Sequence, residues 1–402
     1  MATSPPFDIL FLSQRVPYPP DRGDRITTWN ILQHFLSGGR KVRVACFLEN
    51  DRDEAAVTHL EGLGVEVLSE RIHPARRKLL CLPHLLGSQA LTIPWFRSRK
   101  IQEGIAGWLA LGLPRLAFAY SSSMGQYLLQ HLSELSTVHK IMHFAELDSD
   151  KWAQYATQKA WPGSWVYSRE ARLLLSFERE LAQAMDLNLV VSQVEKELFE
   201  RRIPGAPVAI LRNGVDLQHF SVTKEVHREP ATLIFTGVMD YHPNVDGVLH
   251  FARKLWPSIR EASPEARFLV VGANPSAEIR ALNGKDGIEV SGRVDSTVPW
   301  FERASIAIVP LRIARGIQNK VLEAMAMGLP VVATPKAFQG IQAQAGEDIF
   351  VAEDDATFVS SVLDLLASSE LRSKMGTRAR QAMEASYRWP VILSRLDDQL
   401  SG

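Results

Sequence analysis

The sequence predicts an α/β protein made of two Rossmann-like domains, each built on a parallel sheet. Three observations support this fold class. Short apolar runs alternate with longer amphipathic stretches along the chain, which is the pattern of repeated βα units. A length of 402 residues suits two cores better than one. Both halves repeat the alternation, and no short sequence repeat indicates a solenoid.

The first half contains apolar runs with the length of buried strands, separated by stretches with helical spacing. The predicted strands are Asp8–Leu12, Val42–Phe47, Glu66–Leu68, Leu116–Ala119, Lys140–Phe144 and Leu187–Val191. The predicted helices are Arg25–Leu36, Asp53–Leu63, Gln102–Leu109, Met124–His131 and Tyr167–Gln183. Strands that alternate with helices in this way favour a parallel sheet with helical crossovers.

A loop with prolines and a glycine at residues 204–207 interrupts the pattern, and we place the domain boundary between residues 204 and 205. The strands predicted beyond it are Val208–Leu211, Thr232–Thr236, Arg267–Val271, Ile288–Ser291, Ile306–Pro310, Pro330–Ala333 and Ile349–Val351. The predicted helices are Val245–Pro257, Val298–Arg303, Lys320–Ala326 and Asp355–Ser368. We expect the second domain to span residues 205–375. The helical segment 376–402, kinked at Trp389–Pro390, is expected to pack back on the first domain.

Composition excludes several classes of protein. Lys+Arg and Asp+Glu are equal at 45 each, so no strong field indicates a nucleic-acid partner. The two cysteines, Cys46 and Cys81, have no metal-ligand spacing, which predicts a reducing, cytoplasmic setting. The N-terminal apolar run is short and lacks a preceding basic region, and no stretch approaches 18 apolar residues. We therefore expect neither a signal peptide nor a membrane span.

The loop after the first predicted strand, residues 13–25, leads directly into a helix whose N-terminus could bind an anion. Gly23 in this loop would allow a ligand to approach the backbone closely. The loop has neither the spacing of a dinucleotide fingerprint nor that of a Walker loop. A proline-rich surface loop without a ligand is an equally good interpretation.

The segment Ala307–Thr334 is the most informative part of the chain. A buried strand ends at Pro310, a glycine-containing loop follows, and a helix is predicted to begin near Ile317. Backbone N–H groups at the start of this helix, with Lys320 as an added cation, suit a diphosphate. The residues predicted to bind it are Gly316, Ile317, Gln318, Asn319 and Lys320. Glu323, one turn further on, could accept hydrogen bonds from ribose hydroxyls; a solvated helix residue is the alternative.

This segment resembles the donor-binding signature of the GT4-like family of retaining glycosyltransferases. Further marks of that family occur in order at Arg212–Asp216 with Phe220, Phe235–Asn244, Val270–Pro275 and Ser291–Val294. The resemblance implies a GT-B fold, in which two facing Rossmann-like domains border an inter-domain cleft. It also implies a nucleotide-sugar donor bound by the C-terminal domain. The first 200 residues are most similar to sugar transferases associated with bacterial exopolysaccharide and exosortase gene clusters.

The resemblance assigns roles to individual residues. Gly237 and Asn244 match the glycine turn beside the donor phosphates, and His143 matches a histidine that contacts the donor sugar. Glu146 and Asp148 follow His143 closely and could serve the acceptor or act as a general base, although helix capping is the plainer interpretation.

The chain departs from the family at two positions. Many members have a glutamate eight residues before the position of Glu323, where this chain has Arg315, and an arginine after the glycine turn, where it has Val238. We therefore expect Arg315 and Lys320 to meet the phosphate charge instead.

Two further features are weaker. Asp148, Ser149 and Asp150 mimic a two-aspartate metal motif, but so short a match is common by chance, and we expect neither a metal nor a cofactor. Residues 71–100 mix basic with apolar side chains. That stretch could rest on anionic lipid at the inner face of the cell membrane, or be a helix pair with its bases in solvent.

Together these features predict a metal-independent, retaining glycosyltransferase that acts on a glycan or lipid-linked acceptor. A nucleotide-sugar epimerase on the same double fold and a non-catalytic subunit that binds sugar nucleotides remain open alternatives.

Overall fold

The structure is a computed structural model that describes residues 6–157, 159–222, 228–314 and 316–400, except for the side chains at 395 and 398–400. Internal contacts divide the chain into two compact units. The first unit is Met1–Arg212 together with Leu393–Gly402, and the second is Asn213–Ile392.

The first unit is a parallel α/β layer structure. Its strands are β1 Ile9–Ser13, β2 Val42–Leu48, β3 Glu66–Arg71, β4 Leu116–Tyr120, β5 His139–Ala145, β6 Leu187–Val190 and β7 Val208–Ile210. Its helices are α1 Gly23–Ser37, α2 Arg52–Gly62, α3 Pro74–Cys81, α4 Thr92–Trp95, α5 Arg99–Leu111, α6 Gly125–Leu129, α7 Asp148–Thr157, α8 Gly163–Ala184 and α9 Gln193–Arg202. Short 3-10 turns lie at Leu82–Leu85 and Ser122–Met124.

The strand order of the first sheet is β3-β2-β1-β4-β5-β6-β7, and all its pairs are parallel. β1 lies between β2 and β4, with Ile9 opposite both Val42 and Leu116. Every residue of β1 is buried, and Phe11 stacks on Phe118 of β4 at 5.1 Å between ring centroids. The order reverses between β1 and β4, so a crevice is expected beyond their carboxyl ends.

The second unit repeats this design. Its strands are β8 Thr232–Thr236, β9 Arg267–Val271, β10 Ile288–Gly292, β11 Ile306–Val309, β12 Val331–Ala333 and β13 Phe350–Val351. Its helices are α10 His242–His250, α11 Trp256–Ala262, α12 Ala277–Arg280, α13 Val298–Arg303, α14 Asn319–Ala326, α15 Pro335–Phe338, α16 Asp355–Ala367 and α17 Ser369–Ser386. A π-helical segment, Phe251–Leu255, joins α10 to α11, and α18 is Trp389–Leu400.

The second sheet has the order β10-β9-β8-β11-β12-β13, again with parallel pairs. Its reversal point lies between β8 and β11. The loops that follow these two strands therefore border the same crevice, and they contain Gly237 and the segment before α14.

The predicted domain boundary after residue 204 is wrong. The strand that we assigned to the second domain is β7, which pairs with β6 at the edge of the first sheet, with Asn188 opposite Val208. α9 is the crossover between β6 and β7, so the proline-rich turn at 204–207 is an ordinary loop within the first unit. The boundary lies at residue 212.

The C-terminal segment also differs from the prediction. Instead of one kinked element, α17 ends at Ser386 and α18 begins at Trp389, because Pro390 in the first turn suits the start of a helix. Contacts place residues up to Ile392 with the second unit, so the part that groups with the first unit begins at Leu393 and not at residue 376. There His34 Nε2 lies 2.9 Å from Asp397 Oδ2.

None of the helices in the described part of the chain is long and apolar enough to cross a bilayer.

Candidate functional site

Two glycine turns meet at the carboxyl edge of the second sheet. Gly237 follows β8 with φ +157°, and Gly272 follows β9 with φ +148°. A Cβ atom on Gly272 would lie 1.7 Å from the carbonyl oxygen of Gly237, so no side chain fits between the turns. Only glycine combines this close approach with this backbone conformation.

A lysine and an asparagine close the space beside these turns. Asn244, buried in the first turn of α10, donates from Nδ2 to the Val238 carbonyl at 2.9 Å. Its Oδ1 accepts a hydrogen bond of 2.7 Å from Lys320 Nζ. That nitrogen lies 5.0 Å from the centroid of the Phe235 ring. The structure thus brings the predicted residues Gly237, Asn244 and Lys320 together.

Burial moves the ionisation of Lys320 and Glu323 towards neutrality. It lowers the pKa of Lys320 to about 8, although the charge of Glu323 opposes this shift. It raises the pKa of Glu323 to about 7, against the opposing charge of Lys320. Two titratable groups with perturbed pKa values beside a crevice are typical of a functional site.

The helix behind these groups begins one residue before the predicted range Lys320–Ala326 and two residues after the predicted opening near Ile317. α14 starts at Asn319, with Gln318 as its extended N-cap residue, and the Gln318 side chain does not cap the helix. Its amide donates instead to the Gly316 carbonyl at 3.2 Å, while Gly316 itself has φ +61°. Ile317 is buried in the core and contributes no side chain to the crevice. Arg315 lies outside the described residues, so its predicted phosphate contact stays a prediction.

Asn213 is a site residue that sequence reasoning did not single out. Its Nδ2 donates to Oδ1 of Asn319 at 3.2 Å, which ties the loop after residue 212 to the start of α14. Gly214 next to it packs against Trp389, and a Cβ there would lie 2.6 Å from that ring. Asn213 lies in the segment Arg212–Asp216, whose resemblance to the GT4-like family was the sequence signal for this residue.

In the first unit, His143 on β5 is fully buried. The Ala145 amide donates to its Nδ1 at 2.9 Å, which places the ring proton on Nε2. Burial lowers the pKa of His143 to about 3, so the imidazole is neutral at physiological pH. Nε2 has no hydrogen-bond partner among the described residues. His143 is therefore a neutral donor next to the ring of Tyr120, at 4.9 Å between centroids.

The two predicted carboxylates lie just beyond β5. Asp148 begins α7, accepts a hydrogen bond of 3.0 Å from Ser122 Oγ and pairs with Lys151. Burial lowers the pKa of Lys151, but the charges of Asp148 and Glu146 outweigh burial and hold that pKa above its usual value. Glu146 is half-buried in the bend between β5 and α7. The structure thus brings His143, Glu146 and Asp148 into one region of the first unit.

Glu178 on α8 is a second residue that the sequence reasoning missed. It is fully buried and accepts hydrogen bonds from the Ser149 hydroxyl and, at 3.2 Å, from the Ser149 amide. Burial, with the Asp148 charge next in effect, raises the pKa of Glu178 to about 8. Its helical spacing with Leu174 and Leu181, both buried, was the sequence signal for a core-facing carboxyl.

Gly23 is the first residue of α1 and is exposed. The first turn of that helix already contains a carboxylate, Asp24. Its oxygens lie 2.7 Å from Arg15 and 3.1 Å from Arg22. Burial would raise the pKa of Asp24, but these cations hold it below its usual value. Asp24 therefore meets much of the positive charge predicted for this helix N-terminus.

The aspartates of the metal-like motif have cationic neighbours. Asp150 accepts from Gln154 at 2.9 Å and lies 3.4 Å from Arg202, while Asp148 pairs with Lys151. Within the described ranges, no group of three or more His, Cys, Asp or Glu residues is arranged to hold a metal ion.

Comparison with known proteins agrees with this geometry. Residues 230–368 match the family described as glycosyl transferases group 1. An uncharacterized 44.6 kDa protein in the cps region of Klebsiella pneumoniae is 19% identical over 96% of this chain and 98% of its own length. Other relatives match over 46% to 64% of their own length.

Solved structures show the same fold over nearly the whole chain. Sucrose-phosphate synthase from Thermosynechococcus elongatus has a TM-score of 0.72 at 17% identity, covering 98% of this chain and 99% of that protein. The Anabaena protein HepE, in complex with UDP, has a TM-score of 0.69 at 14% identity with the same coverage. The predicted GT-B fold is confirmed.

The contact between the glycine turns yields a stability prediction. We expect Gly272→Ala to lower the melting temperature of the protein by several degrees, because its Cβ would meet the Gly237 carbonyl oxygen. Gly284→Ala is the matched control, since Gly284 has φ +79° but open space around its Cβ position. Thermal unfolding followed by circular dichroism compares the two. Equal losses would show that backbone conformation alone, and not the contact, matters.

Proposed function

We propose that this chain is a glycosyltransferase of the GT4-like family that transfers a sugar from a nucleoside-diphosphate sugar to a glycan or lipid-linked acceptor. The observation that carries the proposal is the grouping of Lys320 and Asn244 beside the Gly237 turn, next to the start of α14. Backbone amides at a helix start, a glycine turn without a side chain and a partly desolvated ammonium group together suit a diphosphate.

The charge of the leaving diphosphate is met, in this proposal, by Lys320 and the first amides of α14. A lysine that burial has already moved towards neutrality gains more from an anionic ligand than a fully hydrated lysine does. Preorganised donors of this kind stabilise the charge that develops as the bond to the sugar breaks. Metal independence and retention at the anomeric carbon belong to the proposal through the family resemblance.

Glu323 is assigned to the ribose of the donor. Its carboxyl lies one turn into α14, is half-buried, and has no hydrogen bond to any described side chain. Two neighbouring ribose hydroxyls would supply the donors that a desolvated carboxylate lacks. Binding would then lower the pKa of Glu323 from its raised value of about 7.

The first unit supplies the groups that meet the donor sugar and the acceptor in this proposal. His143 offers a neutral Nε2–H donor that suits a sugar hydroxyl, since no described residue accepts from it. Glu146 and Asp148 remain the candidates for taking the proton from an acceptor hydroxyl. The relative in the Klebsiella cps region supports an exopolysaccharide-type pathway. Two free cysteines are consistent with a cytoplasmic location.

The state of Lys320 predicts a pH dependence of nucleotide binding. The free pKa of about 8 should rise when a diphosphate binds, so above pH 8 the protein must take up a proton to bind. We expect the association constant of UDP, measured by calorimetry, to fall by up to tenfold per pH unit between pH 8 and 10.

Lys320→Arg serves as the control, because a guanidinium stays charged throughout this range and should give a flat profile. Lys320→Ala should bind at least tenfold more weakly at pH 7. Parallel pH profiles for the parent and the arginine variant would contradict the role of Lys320.

The assignment of Glu323 predicts selectivity for the ribose 2′-hydroxyl. We expect the parent protein to bind UDP about tenfold more tightly than 2′-deoxy-UDP, and Glu323→Ala to show no preference. The exposed Glu261 on α11 of the same unit provides the matched control, and Glu261→Ala should keep the parent's preference. An unchanged preference for UDP in Glu323→Ala would show that Glu323 does not bind the ribose.

Turnover distinguishes transfer from the alternatives. A panel of UDP-, GDP- and ADP-sugars is incubated with the protein, with and without bacterial lipid and oligosaccharide acceptors, and products are identified by mass spectrometry and NMR. We expect one nucleotide class to be consumed only when an acceptor is present. Isomerised sugar nucleotide without any acceptor would identify an epimerase, and binding without turnover across the panel would identify a non-catalytic subunit.

A further inference from the structure

An apolar surface of the first unit faces solvent at α3 and the 3-10 turn that follows it. Arg77 and Cys81 form the inward face of α3 and are buried. The other side chains point outward, with Leu79 67% exposed, Leu82 60% exposed and Leu86 89% exposed. A single exposed apolar side chain is common, but several that are contiguous usually mark an interaction surface.

Two buried side chains of α8 hold this segment in place. Arg169 Nη2 donates to the carbonyls of His84 and Gly87, at 2.6 Å each. Glu170 accepts hydrogen bonds from the amides of Leu91 and Thr92, at 2.6 and 2.8 Å. The segment that carries the leucines is therefore a fixed platform on α8.

One indole ring of α8 extends this platform. Trp165 precedes Arg169 by one helical turn, so it lies on the face of α8 that binds the segment. Trp165 is 47% exposed. Tryptophan is the side chain that prefers the boundary between water and lipid.

The stretch of chain that carries the platform is rich in cations. Residues 71–102 contain seven Lys and Arg residues and neither Asp nor Glu. Arg77 is paired with Glu70 at 2.7 Å, but Arg76 and Lys78 are exposed and have no ion pair with any described residue. The leucines thus follow two cations without an ion pair to any described residue, an arrangement that complements an anionic surface.

We propose that this basic apolar face, formed by Arg76, Lys78, Leu79, Leu82, Leu86 and Trp165, docks the protein on an anionic lipid bilayer. The leucines and the indole enter the headgroup boundary, while Arg76 and Lys78 contact anionic headgroups. The inference deepens the proposed function by naming the surface where a lipid-linked acceptor would be met. Vesicle binding needs no nucleotide, so it can fail or succeed independently of that function.

Vesicle flotation tests the docking surface. The full-length protein is mixed with vesicles of phosphatidylcholine alone or with 30% phosphatidylglycerol, at low and at high salt. We expect it to float only with the anionic vesicles, and less as salt increases. Arg76→Ala with Lys78→Ala should lower the partition coefficient about 25-fold, since each cation near such a surface contributes about fivefold. Leu79→Ser with Leu86→Ser should lower it about tenfold.

Matched controls change the same number of cations or leucines elsewhere on the same unit. Arg40→Ala with Lys41→Ala deletes two exposed cations before β2, and Leu63→Ser with Leu111→Ser replaces two leucines that are 45% and 67% exposed. Both should float like the parent. All variants should keep the parent's melting temperature, followed by circular dichroism, which shows that they are folded.

Three outcomes would overturn the proposal. The first is a folded parent protein that fails to float with anionic vesicles at low salt. The second is a loss of vesicle binding in the control variants as large as that in the surface variants. The third is a dimer, detected by light scattering, that Leu86→Ser dissociates, which would make this face a contact between two copies of the chain.

Discussion

The contact between the Gly237 and Gly272 turns is the constraint on which the candidate donor site depends. With 1.7 Å between a Cβ on Gly272 and the Gly237 carbonyl oxygen, β8 and β9 must end in bare backbone. The space left beside the turns is taken by Asn244 and Lys320, which are bonded to each other at 2.7 Å. A side chain at Gly237 would meet Asn244 and Lys320, and one at Gly272 would meet the backbone of Gly237.

Burial acts on titratable groups in both units in the same direction. It moves Lys320 and Glu323 towards neutrality in the second unit, and it does the same to His143 and Glu178 in the first. Desolvation of a charge without a full set of partners costs free energy, which a ligand can offset by providing the missing partner. Glu178 differs from the others, because Ser149 already satisfies it, and it serves to hold the start of α7 beside Asp148.

Much of the fold could be predicted because buried strands of a parallel sheet are short apolar runs. β8 and β9 were predicted with the bounds that the structure has, Thr232–Thr236 and Arg267–Val271. The prediction of β7 was right about the strand and wrong about its sheet, since a run of apolar residues does not state which strand it pairs with. The predicted range Lys320–Ala326 matched α14 to within one residue, whereas the opening near Ile317 was two residues early, because Ile317 fits the helical pattern but lies in the core before the helix.

The sequence by itself determined the two-unit α/β architecture and the family marks, because both are written in local patterns of apolar residues, glycines and a few polar positions. Only the tertiary structure decided which of those polar residues meet. The hydrogen bond between Lys320 and Asn244 joins positions 76 residues apart. The hydrogen bonds from Arg169 to the carbonyls of His84, Gly87 and Gln89 join positions at least 80 residues apart. Contacts of this kind depend on how strands are ordered in a sheet and on how helices pack over it, and neither leaves a periodic trace in the chain.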